Sequence, residues 1–159
     1  MSRLLQIKNR RRERHISIRE LKKILTATLK NEMAVEEFEI GIHLVGADEM
    51  TSVNETFLQH EGSTDVITFN HSEIDDPSRL HGELYVCLDE AMAVAPRFRT
   101  TWQDEVVRYC VHGCLHLQGY DDLEPALRRQ MKRRENQIMR AARKQFAVEK
   151  IDRNIGPSR

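Results

Sequence analysis

HGCLHLQGYDD, residues 112–122, sets two histidines four apart, a glycine three residues after the second, and an aspartate at its end. On an α-helix, positions i and i+4 differ by about 40° around the axis, so His112 and His116 face the same way, one turn apart. Two such imidazoles can share one small cation at roughly 2.0–2.1 Å each. Gly119 allows a sharp turn where the helix stops. Asp122 can then swing back as a third ligand, through an oxygen at about 2.0–2.2 Å. Three protein ligands leave a fourth coordination position open, as in catalytic rather than structural zinc. A buried histidine pair alone is more often hydrogen-bonded and metal-free; the i, i+4, i+7 (Gly), i+10 layout, of metzincin type, points to a metal. Those peptidases carry Glu directly after the first His as general base. Here that position is Gly113, which argues against proteolysis.

The flanking sequence places this stretch on a helix. TWQDEVVRYCVHGCLHLQG, residues 101–119, has an acidic first turn and runs helical to a stop at Gly119. Val106, Val107, Cys110, Cys114 and Leu117 lie on the side away from the histidines, so the helix is mostly buried and the two cysteines are core residues. Upstream, strands are expected at 4–9, 37–46, 64–70 and 82–88. In the second, the alternation of Phe38, Ile40, Ile42 and Leu44 gives one apolar face; the third, TDVITFN, reads as a buried strand. Ser17 is the expected N-cap of a helix with Glu20 as its capping-box partner, residues 47–59 read as a short helix, and Pro96 ends or kinks another. A long amphipathic helix runs from Glu124 to Phe146. The expectation is one mixed α and β domain over residues 1–159, frayed at 1–2 and 152–159.

No apolar run approaches the roughly 20 residues of a membrane span, and the N-terminus has no signal-type apolar core. Three cysteines cannot all pair, which places the expected compartment in the cytoplasm. Net charge is zero but sorted: +8 over residues 1–30, −16 over 31–124 and +8 over 125–159. If the two basic ends meet, they make a surface suited to a phosphate backbone.

HGCLHLQGYDD resembles the H-G-x-L-H-x-x-G-[YW]-D-H signature of the YbeY family of bacterial metal-dependent endoribonucleases, or rRNA maturation factors. TDVITF (64–69) is similar to that family's T-D-V-L-S-F strand, HGELYVC (81–87) to its G-D-I-V-I-C strand, and Asn54 fits its L-N motif. Together these cover most of 54–122. The resemblance implies an α+β fold with a mixed sheet of about four strands, and one zinc ion held by His112, His116 and Asp122. It also implies a single-strand-specific endoribonuclease acting in rRNA maturation, notably at the 16S 3′ end, and in ribosome quality control. The partners it implies are rRNA precursors and the small subunit.

Two departures stand out. The last ligand of the family is His, and here it is Asp122, a harder anionic ligand that widens metal choice beyond zinc. An Arg near the cleft, after L-N, is replaced by Leu58, with Gln59 and His60 beside it. These departures motivate the alternative of an RNA- or ribosome-binding factor with weakened or lost nuclease activity. The basic runs RRRER (10–14) and RRQMKRR (128–134) are alternative phosphate contacts. The general acid or base is not assigned: Asp121 reads equally as a turn residue, Asp65 as a strand-end residue, His81 as a surface loop residue, and Trp102 as a core anchor rather than a base-stacking platform.

Overall fold

In a computed structural model, described here over residues 2–154, four strands form one sheet: β1 (Arg3–Asn9), β2 (Glu37–Val45), β3 (Val66–Asn70) and β4 (Arg79–Cys87). Their order is β1-β2-β4-β3. β1 and β4 run parallel to β2, whereas β3 runs antiparallel to β4 and closes the mixed sheet as an edge. The helices are α1 (Ile18–Ala27), α2 (Ala47–Phe57), α3 (Leu88–Val94), α4 (Trp102–Leu117) and α5 (Pro125–Gln145). This is the expected α+β class with the expected number of strands.

The alternation in β2 works as read: Phe38, Ile40, Ile42 and Leu44 are all buried. With Leu5, Leu80, Leu84 and Val86 they form the inner face of the sheet, against which Leu21, Ile24 and Leu25 of α1 and the apolar residues of α4 pack in one core. Burying each such side chain contributes roughly 1.5–3 kcal/mol, which is why the helices lie on this face. A smaller cluster of Val45, Met50, Val53, Ile67 and Cys87 lies under α2 on the other face, with Phe69 and Tyr85 packed against it.

Three local expectations are corrected. Ser17 does cap α1, accepting from the Glu20 N–H, but its own N–H donates to the Ile151 carbonyl at 2.7 Å, so no capping box closes. β3 is an edge strand in which only Ile67 is buried, because its inward Val66, Thr68 and Asn70 border a cleft. His81 lies within β4, exposed, 3.6 Å from Glu39.

The expected fraying does not hold at the start of the tail or at Ser2. Ile16 bridges Asp152, Arg153 N–H donates to His15, and Ser2 carbonyl accepts from Phe38; residues 1 and 155–159 lie outside the described part. The two basic ends therefore do meet at 15–17 and 151–153. Much of their charge is already engaged. Arg10 pairs with Glu49 and Arg11 with Asp89, Arg14 lies over the ring of the partly buried Trp102, and Arg134 donates to the Glu32 carbonyl.

Candidate metal centre

α4 crosses the inner face of the sheet so closely that a side chain at one point would have to displace Leu84. A Cβ on Gly113 would lie 2.7 Å from Leu84 Cδ2, well inside contact distance, and Leu84 is fully buried. That contact fixes the rotation of α4 and turns His112 and His116 toward the cleft. It also explains the missing peptidase base: a side chain at 113 would enter the core, not the site. Cys110 and Cys114 face the core as expected. Burial pushes both thiols up, Cys114 to about 12, so neither offers a thiolate.

After α4 the chain turns through Gly119, at φ +105, a left-handed conformation that glycine adopts without strain. Gly119 and Tyr120 N–H groups close the helix end onto the His116 and Leu115 carbonyls. The Gln118 side chain ties it to the Met33 and Pro77 carbonyls. Asp121 accepts from the Leu123 N–H, the turn role weighed for it. Asp122 then returns to the histidines.

The three side chains converge. His112 Nε2 and His116 Nε2 are 3.2 Å apart, and Asp122 Oδ2 lies 3.6 Å from the first and 3.5 Å from the second. Ligands about 2.0–2.2 Å from a tetrahedral ion are separated by roughly 3.3–3.5 Å. The triangle therefore fits one ion, and the three residues are a group that could hold a metal. The ring partners agree. His112 Nδ1–H donates to Glu135 Oε2 at 2.9 Å and His116 Nδ1–H to the Tyr120 carbonyl at 3.0 Å. With Nδ1 protonated in both rings, two Nε2 lone pairs meet a carboxylate oxygen, an arrangement that a cation stabilises.

Glu135, on α5, was missed in the sequence. It is 3% exposed and also accepts from Arg108 Nη1 at 2.7 Å. Burial alone would raise its pKa, but the His112 and Arg108 hydrogen bonds outweigh it and hold Glu135 below the usual carboxylate value. Burial likewise lowers His112, and Glu135 outweighs that and raises it. A signal existed: Glu135 falls in phase with Met131, Ile138, Met139 and Ala142, the buried stripe of α5. An acid on an apolar stripe calls for a partner.

The cleft has two lobes that share Asp65, His112 and Asp122. One, of about 460 Å³, is walled by β3 and Leu58; the other, of about 320 Å³, by α4 and α5. Leu58 thus stands at the cleft, as the sequence comparison placed it. Gln59 and His60 do not line either lobe. Asn54 is buried, and its side chain donates to the Gly62 carbonyl at 2.9 Å, holding the loop that carries Leu58.

A helix-borne imidazole pair and a returning carboxylate at a cleft are the donor set of a protein that could hold one divalent cation. The profile described as Endoribonuclease YbeY matches residues 6–143, and the chain belongs to that family, a family of hydrolases acting on RNA. It is 37% identical over 108 residues to an Endoribonuclease YbeY of Salinibacter ruber, covering 64% of this chain and 69% of that one. To that of Chlorobaculum parvum it is 43% identical over 84 residues, 53% of this chain and 57% of the relative. A solution structure of a Thermotoga maritima protein shares the fold with a TM-score of 0.59 at 27% identity, over 94% of this chain and 95% of that one. Among the described residues, no helix is long and apolar enough to cross a membrane.

Proposed function

We propose that this chain is a metal-dependent, single-strand-specific endoribonuclease of rRNA maturation, acting at the 16S 3′ end and in ribosome quality control in the cytoplasm. His112, His116 and Asp122 hold its ion, zinc first, with other divalent metals admitted by the carboxylate. The observation that carries this reading is the 3.2–3.6 Å triangle with both Nδ1 protons directed outward. Bound there, the ion would supply Lewis-acid polarisation of a phosphoryl oxygen. The chain's own residues do the rest: Glu135 and the Tyr120 carbonyl orient the two rings, and the cleft admits a strand from the β3 side.

The test is metal content by elemental analysis together with cleavage of a single-stranded RNA, on wild type, His116→Ala and Asp122→Ala. About one ion per chain and cleavage are expected for wild type, with both lost in His116→Ala. A native protein without metal that cuts no RNA overturns the reading.

A second reading, an RNA-binding factor of the same fold with weakened nuclease activity, is favoured by the cation-free wall around Leu58. It predicts RNA binding and ribosome co-sedimentation that His112→Ala leaves unchanged, and no cleavage by wild type.

A further inference from the structure

The lobe walled by β3 and Leu58 contains no Arg or Lys, yet a polyanion has to cross the ligand trio. The other lobe contains three cations, Arg108, Arg128 and Lys132. Arg108 is committed, since its Nη1 donates to Glu135 at 2.7 Å and to Asn136 at 2.9 Å. Arg128 is not. It is exposed, and its Nε donates to the Asp122 carbonyl at 3.2 Å, which anchors the stem beside the ligand turn. No carboxylate lies within ion-pair distance of it among the described residues. Lys132, one turn further along α5, has an exposed side chain whose ammonium lies 3.6 Å from Glu135, a carboxylate that His112 and Arg108 already satisfy. Asp65, Glu90 and Glu105 line the same lobe and repel a phosphate from the parts of the wall they occupy.

We propose that Arg128 and Lys132 are the phosphate grip of this cleft: they bind the backbone phosphates of a single-stranded RNA next to the ligand trio, on the opposite side from Leu58. The proposal rests on the RNA-cleaving reading above and deepens it. The anchored guanidinium keeps its terminal nitrogens for a phosphate, which an arginine fork can bind with two parallel hydrogen bonds. Lys132 adds a second point charge one turn away. The basic charge of the C-terminal third thereby gains a local task, while that of residues 10–14 holds the fold together.

The test compares the double variant Arg128→Gln, Lys132→Gln with the double variant Arg140→Gln, Lys144→Gln, which removes the same charge from exposed positions at the far end of α5. Binding of a fluorescein-labelled single-stranded oligoribonucleotide to chelator-treated protein is followed by anisotropy across salt concentrations. Losing two phosphate contacts should lower the slope of log affinity against log salt by about 1.4, with an affinity loss on the order of tenfold at low salt. The charge-keeping variant Arg128→Lys should retain most of the binding, and zinc content should equal that of wild type in all variants. An unchanged slope, or an equal loss in the far pair, overturns the grip and leaves the nuclease reading intact. Wild type that binds RNA but never cuts it overturns the nuclease reading, while the two slopes still decide the grip. Wild type that binds no RNA overturns both.

Discussion

Among the described residues, two clusters set a pair of histidines against a carboxylate, and one of them is a group that could hold an ion. On the inner face, His112 and His116 donate through Nδ1, to Glu135 and to a carbonyl, and so leave two Nε2 atoms 3.2 Å apart. On the outer face of the sheet, His43 and His71 use Nε2 itself, at 3.0 and 2.9 Å from the two oxygens of Glu83. His43 stacks on Tyr85 with ring centroids 4.5 Å apart, its Nδ1 buried without a partner. The composition of the two clusters is nearly the same. What differs is which ring nitrogen the surroundings leave free, and in the inner cluster that is decided by the Tyr120 carbonyl nearby in the chain and by Glu135 further along it.

The largest expected effect breaks the inner cluster at a ligand. His112→Ala should weaken zinc binding by more than about 100-fold, measured by calorimetric titration of chelator-stripped protein, while His71→Ala leaves it unchanged. Equal losses would show that the outer cluster also carries metal. Next comes the orienting layer: Glu135→Gln should weaken zinc binding about 10–100-fold, against no change for Glu83→Gln.

The two faces also differ in packing. Gly113→Ala must push Leu84 aside and should lose about 1–3 kcal/mol in urea unfolding. Gly41→Ala, on the outer face, meets Glu83 Cγ only at an ordinary 3.5 Å and should be neutral or stabilising by about 0.5 kcal/mol. If Gly113→Ala is as harmless, close packing does not set the histidine pair.

The smallest effect is electrostatic. The hydrogen bonds of His43 and His71 hold Glu83 below the usual carboxylate value. A depressed carboxylate contributes stability above its unfolded pKa, near 4.3, and loses it as pH falls through its folded value. The Glu83 side chain is 43% exposed, so Glu83→Gln should lose at most about 1 kcal/mol at pH 7. The difference should shrink as pH falls below about 4.3 and vanish once the folded carboxyl is itself protonated, as read from unfolding curves at pH 7 and through the acid range.

What could be read from the chain beforehand follows from how local each signal is. Two histidines one turn apart, a glycine and a returning aspartate lie within eleven residues, so one helix turn and the bend at Gly119 bring them near each other. The apolar alternation of β2 is equally local. Glu135 lies 23 residues from His112, inside a basic run, and only its phase on α5 marks it. The Ser17 N–H could not be assigned because its acceptor, Ile151, belongs to the other end of the chain. β3 looked buried because β-branched and aromatic residues suit either an interior strand or an edge with a ligand cleft on one face and a helix on the other. Composition does not separate those cases.

The seat of α4 on β4 bears on how such clefts can diverge. Replacing Gly113 by glutamate would, in a looser scaffold, place a carboxylate one residue from a ligand. Here the new side chain would have to enter the space held by Leu84, so the chain would have to rebuild its interior before it could try the new chemistry. In this chain the position after the first histidine is therefore held for a small residue by crowding beneath the helix, not by the cleft above it.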